Sequence, residues 1–332
     1  MSKRAYIFPG QGSQSVGMGA DLYESVPAAR AVMDRANEVL GFSLTDIMFG
    51  SGTAETAAEN AAQDADVLKQ TQNTQPALFV HSMAVFEALK ASFGAPDMVA
   101  GHSLGEYSAL CAAGAISFED ALRTVRLRGE LMARAGQVRP GSMAAILGME
   151  DADVEALCAE VSGASGATSD GGVSGGGLGV VQAANYNSPG QIVISGDVAA
   201  VARAIELAPG KGARRALLLP VSGAFHSPLM AYATEGLGKA LAALTINTPS
   251  CPVFLNVTAA ASTDPEAIRA RLVEQLTAPV RWAQSMVAMD AAGATHFVEI
   301  GAGKVLSGLV KRTVGREAVT SAFGTAEDLG AI

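Results

Sequence analysis

Cysteine is nearly missing from the chain. Its three copies, Cys111, Cys158 and Cys251, lie far apart and form no Cys-x-x-Cys, so neither a zinc site nor a redox pair is suggested. They read as buried thiols in a reducing compartment. Charge is sparse as well: 17% of the 332 residues are Asp, Glu, Lys or Arg, while 49% are hydrophobic, which argues against disorder and for a sizeable core. Cations are in the minority, 23 against 32 acidic residues, and the formal net charge of −9 leaves no extended positive surface for a nucleic-acid backbone. The N-terminal Met1-Ser2-Lys3-Arg4 runs into a short strand without an apolar stretch of signal-peptide or membrane-span length, so a soluble, cytoplasmic protein is expected. No repeat period is present. The length suits about two domains, or one large domain carrying a small inserted one.

What is present centres on Gly101-His102-Ser103-Leu104-Gly105-Glu106-Tyr107. The apolar run Met98-Val99-Ala100 precedes it and a helical pattern from Ser108 follows, so Ser103 stands where a strand turns into a helix. Gly-x-Ser-x-Gly in that setting is a nucleophile elbow, with the serine hydroxyl pushed out above a parallel sheet and helix N-terminal amides beside it. An ordinary tight βα turn is the alternative.

Earlier in the chain, Ala5-Tyr6-Ile7-Phe8 reads as a buried strand ending in Pro9-Gly10-Gln11-Gly12-Ser13-Gln14. That loop lacks the Gly-Lys-Ser/Thr of a P-loop and misses the dinucleotide glycine spacing. Either the Gln11 amide approaches an oxyanion, or the loop is a plain strand-end turn. Residues 23–40 and 53–63 carry helical spacing. A third helix, entered at Thr74-Gln75-Pro76, is apolar almost all round, which makes His81 a packed core residue. The helix expected over 118–135 carries Arg128 beside Gly129; the arginine could grip a substrate carboxylate or belong to a solvated face.

Between 141 and 220 the pattern reads strand, helix, strand, strand, helix, strand. This βαββαβ order is ferredoxin-like and fits an insertion. Strands are expected over 143–148, 180–186, 191–195 and 215–221, with a Gly/Ser-rich flexible loop over 162–179 and a turn over 185–190 whose Asn185 and Asn187 could line a channel. Beyond it, Phe225-His226 sits at a strand exit, and His226 is the base chosen for Ser103. His102 is expected to point away from the nucleophile. No carboxylate stands in an obvious orienting position; a Ser-His dyad oriented by a backbone carbonyl would suffice, because the third member chiefly fixes the tautomer. A strand over 253–257 and helices over 265–276 and 283–292 follow. A strand over 295–300 leads to Gly301-Ala302-Gly303, opening a helix that ends at 312. The tail after 316 gives no pattern.

Together, Phe8-Pro9-Gly10-Gln11-Gly12-Ser13-Gln14, Gln72-Asn73-Thr74-Gln75-Pro76-Ala77, the Ser103 elbow, Arg126-Leu127-Arg128-Gly129, Asn187-Ser188-Pro189-Gly190-Gln191 and Gly301-Ala302-Gly303-Lys304-Val305-Leu306 closely resemble the malonyl-CoA:acyl carrier protein transacylase family, over 5–312. The resemblance implies an α/β fold: an α/β hydrolase-like large subdomain with a parallel sheet, 1–140 and 221–332, and an inserted ferredoxin-like small subdomain, 141–220. It implies malonyl transfer from malonyl-CoA to the phosphopantetheine thiol of acyl carrier protein, by a ping-pong route through malonyl-serine, supplying fatty-acid elongation, with no metal and no cofactor. Ser103 would be the nucleophile and His226 the base, the Gln275 carbonyl would orient His226, Gln11 and Leu104 would supply oxyanion amides, Arg128 would hold the malonyl carboxylate, and Phe225 would narrow the acyl pocket. The loop at 162–179 and the stretch 55–70 are longer than the family pattern.

An acidic carrier needs a local basic face on this acidic chain, for which Lys211, Arg214, Arg215, Lys304, Lys311 and Arg312 are candidates. A monomer is expected. A polyketide acyltransferase, a thioesterase or serine hydrolase with the same elbow, and a non-catalytic carrier-binding module stand as alternatives.

Overall fold

The computed structural model describes residues 3–50, 57–164, 178–221 and 223–330. Ten strands lie among them: β1 (Lys3–Phe8), β2 (Met98–Gly101), β3 (Gly141–Leu147), β4 (Val181–Ser188), β5 (Gln191–Asp197), β6 (Arg215–Leu218), β7 (Val253–Phe254), β8 (Ala261–Ser262), β9 (Ala294–Ile300) and β10 (Val319–Phe323). They form one sheet in the order β10-β9-β1-β2-β7-β8 and another in the order β4-β5-β3-β6. The first is parallel from β10 to β7, with β8 antiparallel at its edge. The second is antiparallel throughout, and its connection order is the ferredoxin-like one expected.

Strand β1 shows why the first sheet is covered on both faces. Its residues alternate sides: Tyr6 and Phe8 enter one apolar cluster with Val99, whereas Ala5 and Ile7 enter another with Met98, Ala100 and Trp282. The small sheet has its own core around Ile146, Val154, Leu157, Ile192 and Ile194.

Several sequence expectations are revised. The helix expected over 23–40 is two, Ala20–Ser25 and Pro27–Leu40, because Val26 is extended and Pro27 starts a new helix at its first turn. The helix expected over 53–63 is seen as Ala57–Lys69, and residues 51–56 lie outside the described set. Most of the loop read at 162–179 also lies outside it. The turn placed over 185–190 shrinks to Pro189 and Gly190, and Asn185 and Asn187 belong to β4, where Asn185 pairs with Val193 of β5 and with Val280 and Asn187 falls at a register shift between Tyr186 and Ser188. The strand expected over 253–257 leaves the ladder after Phe254, since the Asn256 N–H is drawn to Glu106 instead. The tail holds β10 and the helix Ala326–Gly330, elements too short to show a period.

The helix expected to be entered at Thr74-Gln75-Pro76 spans Thr71–Phe93, with Pro76 inside it. Proline cannot donate to the carbonyl four residues back, that of Gln72, and this oxygen instead accepts from Arg126 Nη1 at 2.8 Å. Arg126 lies on the helix Phe118–Val138, which also carries Arg128.

Candidate active site

Strand β2 ends at Gly101 and the elbow helix, Gly105–Ala112, begins four residues later. A Cβ on Gly101 would stand 1.8 Å from the Gly105 carbonyl, and one on Gly105 would stand 2.2 Å from the Phe8 carbonyl. Only glycines allow the chain to reverse so tightly against β1. At the apex Ser103 takes φ 52°, a left-handed value that costs a non-glycine residue about 1–3 kcal/mol. The sequence reading of an elbow holds.

The Ser103 hydroxyl meets His226. Oγ and Nε2 are 2.8 Å apart, and on the other side of the ring Nδ1–H donates to the Gln275 backbone carbonyl at 2.7 Å. A carbonyl can only accept, so the proton sits on Nδ1 and the Nε2 lone pair faces the serine. His226 itself has φ 56°, and its carbonyl is held by Gln182 Nε2 at 2.9 Å. Burial and the nearby Arg128 charge push its pKa down to about 3, which keeps the imidazole neutral and able to take a proton. Ser103, His226 and Gln275 thus meet as the sequence suggested.

Arg128 is almost fully buried. Its Nη2 donates to Ser103 Oγ at 3.1 Å and to Gln275 Oε1 at 3.0 Å, its Nη1 donates to Gln75 Oε1 at 2.6 Å, and its guanidinium lies 5.8 Å from the Tyr107 ring centre. Among the described residues no carboxylate forms an ion pair with it. A desolvated cation beside Ser103, answered by neutral oxygens and an aromatic ring, has the chemistry to receive an anionic group. The solvated-face reading is excluded.

These groups open onto a cavity of about 440 Å³, lined by Gln11, His102, Ser103, Leu104, Arg128, Asn185, Asn187, Gln191, Phe225 and His226 among others. The Ser103 N–H is committed to Asn256 Oδ1 at 2.7 Å, the Gly105 N–H to the His102 carbonyl and the Glu106 N–H to the Ser103 carbonyl. The amides of Gln11 and Leu104 have no acceptor among the described residues and stand beside the nucleophile as candidate oxyanion donors. The loop after β1 is brought there by contact of Gly10 with the His102 carbonyl.

Two site details differ from expectation. His102 does not turn out of the site: its ring lines the cavity and its Nε2 is 2.8 Å from Asn187 Oδ1, joining the elbow to the small sheet. Cys111 is only half-buried, unlike Cys158 and Cys251, because its helix surfaces at that turn. The six candidate docking cations fall in two places. Lys211, Arg214 and Arg215 lie before and on β6, with Lys211 paired to Glu160 at 2.6 Å. Lys304, Lys311 and Arg312 lie on or next to the helix Val305–Thr313, with Lys304 3.6 Å from Asp328 and Arg312 donating to the cavity-lining Gln191. Sequence reasoning passed over Gln75, Glu106 and Asn256, and also Lys69, whose largely exposed side chain stands on the cavity wall.

Residues 5–326 match the family model described as the acyl transferase domain. The chain is 48% identical over 329 residues to the malonyl CoA-acyl carrier protein transacylase of Bacillus subtilis (strain 168), covering 99% of this chain and 96% of that one. It is 42% identical over 315 residues to the protein of that name from Escherichia coli (strain K12), covering 95% and 94%. Among solved structures, the acyl-carrier-protein-S-malonyltransferase from Bartonella henselae superposes with a TM-score of 0.88 at 42% identity, covering 99% of this chain and 98% of that one. A malonyl-transacylase in complex with a type II PKS acyl-carrier protein gives 0.86 at 38% identity, with the same coverage.

Proposed function

The chain belongs to the malonyl CoA-acyl carrier protein transacylases of the acyl transferase domain family, and from that premise we propose that it carries malonyl between the two thiols as an ester on Ser103. It transfers malonyl from malonyl-CoA to the phosphopantetheine thiol of an acyl carrier protein. The observation that carries the covalent reading is a serine hydroxyl that faces a neutral histidine and lies 3.1 Å from the buried Arg128 guanidinium, which has no ion-pair partner among the described residues.

In the first half-reaction His226 Nε2 takes the Ser103 proton as Oγ attacks the thioester carbonyl. The oxyanion rests on the Gln11 and Leu104 amides, and the CoA sulfur leaves with the proton from Nε2. In the second, the carrier thiol gives its proton to Nε2 and attacks the ester, and Ser103 recovers a proton as its bond to malonyl breaks. Arg128 holds the malonyl carboxylate throughout, so the acyl group keeps its orientation while thiols exchange. The scheme calls on no metal or organic cofactor.

The same reading assigns 1–140 and 221–332 to the large subdomain and 141–220 to the insert. It takes the enzyme as a cytoplasmic monomer serving fatty-acid elongation; among the described residues no helix is long and apolar enough to cross a membrane. Mixing the protein with malonyl-CoA and a phosphopantetheinylated carrier tests the function directly: malonyl-carrier should dominate over free malonate, with a malonyl adduct on Ser103 after brief mixing. Free malonate as the main product would make it a thioesterase, and no adduct under turnover would remove the covalent scheme.

A further inference from the structure

Beneath the elbow lies a carboxylate that the reaction scheme does not use. Glu106 is completely buried on the elbow helix. Its Oε2 accepts from the Asn256 N–H at 2.8 Å and from Gln275 Nε2 at 3.2 Å, while Oε1 has no partner among the described residues.

Both partners reach the reacting groups. The Gln275 side chain donates through Nε2 to the Ser103 carbonyl at 3.2 Å and accepts through Oε1 from Arg128 Nη2 at 3.0 Å, while its backbone carbonyl orients His226. Asn256 accepts the Ser103 N–H on Oδ1 at 2.7 Å and donates Nδ2 to the Gly101 carbonyl at 2.7 Å. Each amide has its oxygen toward a donor and its nitrogen toward acceptors, so neither can flip without losing partners.

We infer that Glu106 is a positioning residue: through Gln275 and Asn256 it binds the nucleophile elbow, the histidine-orienting carbonyl and Arg128 into one rigid unit. The inference rests on the malonyl-transfer reading, because it treats Arg128 as the substrate's anchor. The Gln275 amide turns its oxygen to the Arg128 cation and its nitrogen to the Glu106 carboxylate, standing between two buried groups that do not touch. Burial raises the Glu106 pKa to about 7, and the hydrogen bonds from Asn256 and Gln275 oppose that rise, as expected of a carboxylate kept where its acceptor oxygen is needed. A helix-capping role alone would engage the elbow helix's own first amides rather than residues from two distant segments.

The test is the rate of Ser103 malonylation and of acetylation from the two acyl-CoAs, followed by rapid-quench mass spectrometry and normalised to the fraction of Ser103 finally acylated. Glu106→Ala should lower malonylation by about tenfold or more and reduce the malonyl-to-acetyl preference by about fivefold, the scale of one hydrogen bond to a charged group. Glu106→Gln keeps an oxygen facing both donors and should stay within about threefold of wild type. Gln275→Leu retains the backbone carbonyl and should lose the same preference as Glu106→Ala, giving the answer even if that variant does not fold. Wild-type preference in Glu106→Ala and Gln275→Leu with only a lowered Tm would overturn the positioning role; so would a Glu106→Gln loss as large as that of Glu106→Ala. A wild-type protein that never malonylates Ser103 would instead sink the functional reading, a separate result.

Discussion

Arg128 Nη2 lies 3.1 Å from Ser103 Oγ, so the cation proposed to hold the acyl group also donates to the proposed nucleophile before substrate arrives. Removing it should divide substrates by charge. Arg128→Ala should lower kcat/KM for malonyl-CoA by about 100-fold or more, the range for losing one partner of a buried charge pair, and lower acetyl-CoA transfer by about tenfold at most. Equal losses for the two acyl-CoAs would remove the anchoring role.

A base pushed down to about 3 predicts an acid-tolerant first half-reaction. The kcat/KM for malonyl-CoA, which reports the free enzyme, should stay within about twofold from pH 7.5 to 5, where an ordinary histidine would already cost about thirtyfold. Stability follows a different course. His81, lowered to about 4, and His226 bind protons more weakly when folded, so the contribution each makes is present above pH 6.5 and is lost as pH falls toward 4 and 3. Glu106, raised from 4.5 to about 7, acts oppositely, its contribution being present below 4.5 and lost as pH rises through 7. Replacing His81 with Phe should therefore flatten the fall in Tm between pH 6.5 and 4.5; an unchanged slope would contradict the assignment.

Phe225 is buried on the cavity wall next to the base. Phe225→Ser should admit a branched acyl group, shifting the methylmalonyl-to-malonyl ratio of kcat/KM by about tenfold, the worth of one methyl in an apolar pocket. A ratio unmoved in direct competition would assign the ring to the core alone.

Gly129 packs where a side chain cannot fit. A Cβ there would lie 2.7 Å from Gln72 Cα and 2.8 Å from the Thr71 carbonyl, both backbone. Gly129→Ala should cost about 1–3 kcal/mol by overpacking, despite the better helix propensity of alanine, and should lower malonyl selectivity because Arg128 is the neighbouring residue. Calorimetry and the malonyl-to-acetyl ratio measure the two effects.

Arg312 donates to Gln191 at the cavity wall, which ties one docking candidate to the site. Arg312→Glu and Lys311→Glu should raise KM for the acidic carrier by about tenfold and leave KM for malonyl-CoA within about twofold. Parallel changes in both constants would dismiss the patch.

Residues whose chemistry is carried by their own sequence neighbours were the legible ones. Ser103 stands out because an elbow needs small residues on both sides, and His226 because few histidines exist and one follows an apolar run, although the strand expected over 215–221 ends at Leu218 and His226 sits in a turn beyond it. The βαββαβ insert was readable from alternating periods. Glu106 and Asn256 gave no such sign: a glutamate in a first helical turn and an asparagine after a strand are ordinary, and their meaning comes from contact between segments 150 residues apart. The missed break at Val26 had a visible cause in Pro27, whereas the early end of β7 did not, since the competing acceptor for Asn256 lies in the elbow helix.

Pro76 has a consequence for alignment. The carbonyl it leaves vacant on Gln72 is filled by Arg126, two positions before Arg128, and Gly129 lets the two helices touch at that same level. A slip of the Phe118–Val138 helix by one residue, along its axis or about it, would unseat the arginine and drive a side chain into the Thr71 carbonyl. The proline therefore works as an index mark, a notch into which one tooth fits, and it calibrates the reach of the Arg128 guanidinium from outside the site.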